Sequence, residues 1–293
     1  MTRSIIIGMG IGQLYHSVLT SLGHEIITVD KDPSKGADYT ELQDAIDNHK
    51  PFDTAHVCTP NFTHMKIASH IAPVTSAVFI EKPGVANSIE WQQLLKMFPQ
   101  THFMMVKNNM WRSNIAELQD LAKTAKLVNF NWINRNRVPS PGTWFTTKDL
   151  SFGGVSRDLM PHLLSLYIAL NPSWVDDPIN KVTTLMRYEL KDLIKTDYGT
   201  VNADGVYNVD DLCQFKFADK WNLHADWRNL KNDDRSIEFV MQNNSSISFE
   251  LGLCPEEAYT NMLKDAIDHI GNYEWWTAQS EQDLWIHKQI ENL

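Results

Sequence analysis

The chain lacks any apolar run near the roughly 18–20 residues that a membrane-spanning helix requires. It has only three cysteines, Cys58, Cys213 and Cys254, an odd and scattered set that fits neither a disulfide framework nor a zinc site. No metal is expected. Positive charge is scarce, with 26 Lys and Arg against 36 Asp and Glu and a formal net charge of −10. Coating a nucleic acid takes a basic surface, so that class of partner is excluded. Internal repeats and low-complexity segments are absent. The start, Met1-Thr2-Arg3-Ser4 running into Ile5-Ile6-Ile7, lacks a signal-peptide layout, and the expected location is the cytoplasm, with no membrane contact. What remains is 293 residues, 43% hydrophobic and 21% charged, an ordinary globular composition with room for two modest domains.

The first half alternates strand and helix. Strands are expected at Ser4–Ile7, Glu25–Val29, Thr54–Cys58, Ala77–Ile80 and His102–Val106. Helices are expected between them at Gln13–Leu22, Thr40–His49, Asn61–Ala72 and Ser88–Phe98. Such alternation implies a parallel sheet with helices on both faces. The pattern changes after a helix near Ser113–Ala125. Leu127–Ile133, a loop rich in Asn, Arg and Pro, and a helix through Leu159–Leu170 come next. Longer alternating strands follow at Val182–Leu190, Leu212–Phe217, Trp221–Arg228, Ile237–Met241 and Ser246–Leu251. In the clearest, Trp221, Leu223, Ala225 and Trp227 face one side and Asn222, His224, Asp226 and Arg228 the other. This reads as a mostly antiparallel sheet with one apolar and one polar face. Two last helices, near Glu256–Ile270 and Glu281–Asn292, could cover it. The expected division is residues 1–115 and 116–293.

Gly8-Met9-Gly10-Ile11-Gly12 follows the first strand and opens a helix. Glycines there let the backbone approach a diphosphate at a helix N-terminus that offers free N–H groups. Asp30 ends the second strand, where a carboxylate accepts from both hydroxyls of an adenosine ribose and repels a 2′-phosphate. The third glycine comes one residue early, with Gln13 in the sixth position. NAD(H) is the expected cofactor, and Lys31 beside Asp30 leaves NADP(H) open. Thr59-Pro60 lies at the end of the third strand, where Thr59 could contact the cofactor or cap the next helix. His64 and His70, in that helix, are read as structural or surface residues.

Glu81-Lys82-Pro83 ends the fourth strand, so Lys82 can project toward a nicotinamide or be an exposed Lys before a turn. Later, Gly153-Gly154 leads to Asp158 and His162, four residues apart and able to share a helix face. A carboxylate beside an imidazole fixes its tautomer and suits proton transfer; the plainer alternative is a helix start with a half-buried His. Pro161 cannot donate to the Arg157 carbonyl, so the helix either begins near Asp158 or is kinked in its first turn.

Together the glycine loop, Asp30, Thr59-Pro60, Glu81-Lys82-Pro83, Val106-Lys107-Asn108-Asn109, Trp144, and Gly-Gly with Asp158 and His162 resemble the glucose–fructose oxidoreductase/inositol dehydrogenase (Gfo/Idh/MocA) family. Glu257-Ala258-Tyr259, Asp265-Ala266-Ile267 and the final helix are similar to that family's ending. The resemblance spans essentially the whole chain. It implies an α/β Rossmann domain, plus an α+β domain whose open sheet forms a subunit interface in a homo-oligomer. It implies NAD(P)-dependent oxidation or reduction of a small molecule: a sugar, cyclitol or sugar nucleotide. It gives Lys82 the reacting oxygen, His162 the acid/base role and Asp158 its orientation. It places Gly8, Gly10, Ile11, Gly12, Asp30, Thr59, Pro60, Glu81, Lys82 and Asn109 around the cofactor. Lys107, where the family often has a small residue, and Met110-Trp111 depart from the pattern. Two alternatives are reduction of a cyclic imine or biliverdin-type substrate, and a non-catalytic dinucleotide-binding regulator. Lys82 counts against the biliverdin-type reading, and Lys82 with His162 against the regulator. Arg135 and Arg137 could bind a phosphate or carboxylate or be solvated charges, and nothing in the sequence places Tyr198 and Tyr207.

Overall fold

The structure, a computed structural model, describes residues 2–193, 195–252 and 256–293, so Cys254 lies outside it. Two compact units emerge. One comprises residues 1–108 with 256–292, and the other residues 109–255 with Leu293.

The first unit opens with β1 (Arg3–Ile7), α1 (Gly12–Ser21), β2 (Glu25–Val29), α2 (Leu42–His49) and β3 (Phe52–Val57). It continues through α3 (His64–Ile71), β4 (Thr75–Ile80), α4 (Ser88–Met97) and β5 (His102–Met105). All four pairings of the sheet, in the order β2-β1-β3-β4-β5, are parallel. The strands are buried on both faces, as in Ile5-Ile6-Ile7 and Val78-Phe79-Ile80, because helices cover each side. The helix expected over Asn61–Ala72 begins as a 3-10 turn, Asn61–Thr63, and becomes α-helical only at His64.

The second unit holds α5 (Ile115–Thr124), β6 (Leu127–Ile133), α6 (Lys148–Ser151), α7 (Val155–Asp158) and α8 (Met160–Leu170). Its remaining strands are β7 (Ile179–Leu185), β8 (Leu212–Phe217), β9 (Trp221–Asp226), β10 (Asp234–Val240) and β11 (Ser246–Glu250). They build a six-stranded sheet, β11-β10-β6-β9-β8-β7, antiparallel except for the parallel β6–β9 pair. Trp221, Leu223, Ala225 and Trp227 are buried on one face, where α8 packs against β6 and β9. The other face is polar. Asn222 donates to Asn129, and Asn129 donates to Glu238, a hydrogen-bonded row across three strands.

The last helices, α9 (Glu256–Asp268) and α10 (Tyr273–Ile290), belong to the first unit, whereas the sequence suggested them as a cover for the six-stranded sheet. They return to the first unit, α9 against α1 and α10 against β5 and α4. The physical reason lies in the buried side of α10: Asp283 and His287 are polar groups whose partners belong to the parallel-sheet unit. The helix also starts eight residues earlier than its expected Glu281, because Asn272 caps it by accepting from the Trp275 N–H at 3.1 Å.

Candidate active site

Each glycine of the first loop has its own work. Gly8 has φ +96°, and a Cβ there would lie 2.6 Å from the Cys58 carbonyl oxygen, so only glycine lets β1 turn this close to β3. Gly12 is the first residue of α1, and its Cβ would press to 2.9 Å on Ile6, the close helix–strand packing expected of the third glycine. The early placement of that glycine therefore preserves its packing role. Gly10 has no atom within 4 Å of its Cβ position and opens on free space. Ile11 is the N-cap of α1; no side chain caps the helix and no acid lies in its first turn. Asp30 stands at the end of β2 and accepts the Met9 N–H at 2.6 Å and the Asp32 N–H at 2.9 Å. The carboxylate thus ties the glycine loop to the end of β2. Thr59 caps nothing: its hydroxyl meets the Thr63 hydroxyl at 2.7 Å, and Pro60 precedes the 3-10 turn.

At the end of β4, Glu81 is buried and turned inward. Tyr15 donates to its Oε1 at 2.5 Å, and the Lys82 N–H reaches Oε2 at 3.2 Å. Burial and the Glu81 charge push the Tyr15 hydroxyl well above its ordinary range, so it stays a donor. Half-buried Lys82 begins a tight turn held by two imidazoles. His64 is fully buried, with Nδ1 2.6 Å from the Gly84 carbonyl oxygen and Nε2 2.7 Å from that of Thr59. Burial lowers its pKa, with those carbonyls opposing. His287 of α10 accepts the Val85 N–H at 3.1 Å with Nε2, while its Nδ1 donates to the Asp283 carbonyl at 2.7 Å. Beyond β5, the Lys107 ammonium pairs with Asp283, both side chains fully buried, and Asp283 also accepts the Met105 N–H at 3.0 Å. Burial pushes Asp283 up to about 6 despite that cation, and lowers the pKa of Lys107.

In the second unit the break foreseen at Pro161 is present. α7 stops at Asp158, Leu159 links, and α8 carries Pro161 in its first turn, where a missing N–H costs nothing. Asp210 fixes the entry to α7. It accepts the N–H groups of Gly154 and Ser156 and the Ser156 hydroxyl, each at 2.8 Å. Asp158 accepts the Trp227 indole N–H at 2.8 Å. His162 stacks on Trp132 at 5.1 Å between centroids. Its Nδ1 lies 3.1 Å from Asn109 Nδ2. Arg112 Nε donates to Asn109 Oδ1 at 2.8 Å, which orients the amide with its nitrogen toward the imidazole.

Residues 3–108 match the model of the oxidoreductase family with an NAD-binding Rossmann fold, Gfo/Idh/MocA. This match covers the parallel-sheet region of the first unit. A protein of Amycolatopsis mediterranei (strain S699), assigned as a UDP-kanosamine synthase oxidoreductase subunit, is 28% identical over 162 residues, 50% of this chain and 45% of that one. The match thus spans less than half of that relative's length. The fold is shared with GenD2 from gentamicin A biosynthesis, solved in complex with NAD, at TM-score 0.71 and 18% identity over 99% of this chain and 94% of the other. A levoglucosan dehydrogenase, solved with NADH and levoglucosan, superposes at TM-score 0.70 and 12% identity over 99% and 97%. No helix among the described residues is long and apolar enough to cross a membrane.

Of the sequence-predicted residues, the first unit gathers Gly8, Gly10, Ile11, Gly12, Asp30, Thr59, Pro60, Glu81 and Lys82 at or beyond strand carboxyl ends. The second unit brings Asn109 to His162, and holds Asp158 on the Trp227 indole. Arg135 pairs with Asp197 at 3.0 Å on the surface, Tyr198 is exposed, and Tyr207 donates to Asp211 at 3.3 Å. The sequence reading missed Tyr15, His287, Asp283, Arg112 and Trp132, and took His64 for a bystander. Each is an ordinary core or helix residue by pattern; only tertiary contact reveals its partner.

Proposed function

We propose that the protein is an NAD(H)-dependent oxidoreductase that moves a hydride between nicotinamide and a secondary alcohol or ketone of a sugar, cyclitol or sugar nucleotide. The observation that carries this reading is the open Gly10 loop at the uncapped start of α1, with Asp30 tied to it. These residues fit a dinucleotide. Gly8, Gly10, Ile11, Gly12, Thr59 and Pro60 would hold its diphosphate side, and Asp30, with lone pairs beyond the two backbone bonds, its ribose. Asp30 favours NAD(H) over NADP(H), with Lys31 leaving the latter open. Bound nicotinamide supplies the carbon that gives or takes the hydride.

The chain's own groups handle the oxygen. Lys82, set by inward-turned Glu81, stabilises negative charge on it. His162 takes the proton in oxidation and returns it in reduction, Asp158 orients the ring, and Asn109 holds it at the nicotinamide side. A second reading rests on the Asn109–His162 bond. With the amide nitrogen toward Nδ1, the neutral ring bears its proton on Nε2. His162 then donates a hydrogen bond to the oxygen, and Lys82 carries the proton.

The polar face of the six-stranded sheet is the surface we assign to a second copy of the chain, in a homo-oligomer.

The test is NAD⁺ reduction over a panel of sugars, cyclitols and sugar nucleotides, then a pH–rate profile on the best substrate. In the first reading, His162→Gln abolishes the rising limb expected near an ordinary His pKa of about 6.5. In the second, a rising limb set by another group remains in His162→Gln and is lost in Lys82→Met. Failure to bind NADH and to reduce NAD⁺ with any compound overturns both.

A further inference from the structure

Two arginines of the second unit are anchored near Trp132 and Trp227: Arg235 by strand register, with Asp233 3.9 Å from its guanidinium, and Arg137 by its backbone. Arg235 of β10 stands opposite Trp132 of β6 in the antiparallel register, so both side chains share the face that α8 covers. Trp132 is the ring on which His162 stacks. The Arg235 side chain is only 11% exposed. Its Nη2 donates to Asn134 Oδ1 at 2.9 Å, and its nearest carboxylate, the half-exposed Asp233, is 3.9 Å away. Its Nε is buried and has no hydrogen-bond partner among the described residues. A buried guanidinium N–H left unpaired is costly, and a charged one more so. Arg137 follows in the loop after β6. Its backbone N–H is fixed by the Trp227 carbonyl at 2.9 Å, and its half-buried side chain has no recorded partner among the described residues. Burial, then the Arg137 charge, lowers the pKa of Arg235, with the Asp233 charge opposing. Like charges held together in a part-buried place, one with a spare inward donor, are stabilised by a bound anion.

We propose that Arg137 and Arg235 form an anion-binding subsite beside His162 that takes a carboxylate or phosphate borne by the substrate. The substrate is then an anionic sugar: a uronate, a sugar phosphate or a nucleotide-linked sugar. Asn134 holds the Arg235 fork in place, and Trp132 separates it from the imidazole. The anion thereby anchors the sugar at one end while its alcohol carbon lies at His162. This assignment rests on the reading of His162 as a group at the reacting oxygen.

Calorimetric titration of the full chain, with and without NADH, tests it using D-glucuronate, glucose 6-phosphate, UDP-glucose, D-glucose and myo-inositol. At least one anionic compound is expected to bind about tenfold or more tighter than the neutral ones. The compound that does so names the anion as carboxylate, monophosphate or diphosphate. Arg235→Gln and Arg137→Gln are each expected to weaken that compound by about tenfold or more and leave D-glucose and NADH binding unchanged. A purely structural arginine would alter neutral and anionic ligands alike. Should Arg235→Gln fail to fold, Arg137→Gln, at a half-buried loop position, carries the comparison. Equal binding of neutral and anionic compounds, no binding of any anion, or variants that bind the anion like wild type each overturn the proposal. Arginine-dependent anion binding in a protein that does not bind NADH would sustain the subsite and sink the oxidoreductase reading instead.

Discussion

Lys107 and Asp283, 176 residues apart, form an ion pair with both side chains fully buried. The pair joins the end of β5 to α10, and the Met105 N–H shares the carboxylate. Removing one partner leaves a buried charge alone, which typically costs about 3–5 kcal/mol. Asp283→Ala is therefore expected to lower the urea midpoint strongly. Lys107→Met combined with Asp283→Leu should recover most of the loss, since apolar replacement of a whole buried pair is often neutral. A silent single substitution would contradict the account.

The same carboxylate gives a pH prediction. Its folded pKa is raised to about 6 from an ordinary 3.8, so the native state binds the proton more tightly than the unfolded chain. The part of Asp283's contribution to stability that comes from binding this proton is then fully present below about pH 4 and is lost as pH rises to about 6. Comparing wild type with the Lys107→Met, Asp283→Leu double variant between pH 4 and 7 isolates that slope. The wild type should lose stability relative to the double variant as pH rises through this window.

Gly84 links the imidazole clamp to Lys82. It has φ +80°, and a Cβ there would lie 2.5 Å from His287 Nε2. Gly84→Ala should cost about 1–3 kcal/mol through strain and displacement of that ring. His287→Ala frees the Val85 N–H and should lower kcat while leaving NADH affinity near wild type. Unchanged kcat in both variants would separate the clamp from the lysine.

Asp30 sets the cofactor prediction. NADH should bind at least about tenfold tighter than NADPH, since a carboxylate facing a 2′-phosphate adds like-charge repulsion. Asp30→Ala should weaken NADH and erase the preference, because the glycine loop also loses the bond to the Met9 N–H. Fluorescence titration of both cofactors is the check; tighter NADPH binding in wild type would point to Lys31.

The polar sheet face predicts assembly. Light scattering at micromolar concentration should give an oligomer, and Asn129→Arg with Asn222→Arg, placed side by side in the β6–β9 register, should shift it toward monomer. A monomeric wild type would overturn the assignment.

Much of this architecture was legible because it is local. The run Ile5-Ile6-Ile7 before three glycines, Asp30 after a second strand, and Pro161 three residues beyond Asp158 each impose backbone constraints that sequence alone carries. Strand alternation likewise sorted Trp221–Trp227 from Asn222–Arg228. The destination of the last two helices was not legible. Hydrophobic spacing shows that α10 has a buried side but not which sheet receives it, and the deciding groups, Asp283 and His287, are polar. Asn109 was named by resemblance alone, whereas the place of Arg235 opposite Trp132 depends on a strand pairing across about a hundred residues.

The central claim is that Lys82 and His162 act on the reacting oxygen while other residues hold the cofactor. The most direct measurement is turnover of Lys82→Ala and His162→Ala on the best substrate, beside their NADH dissociation constants. General acid–base catalysis is typically worth about 10²–10⁴-fold, so each substitution should cut kcat by at least about 10²-fold with NADH binding nearly unchanged. Turnover at the wild-type rate in either variant, with cofactor bound, would contradict the account.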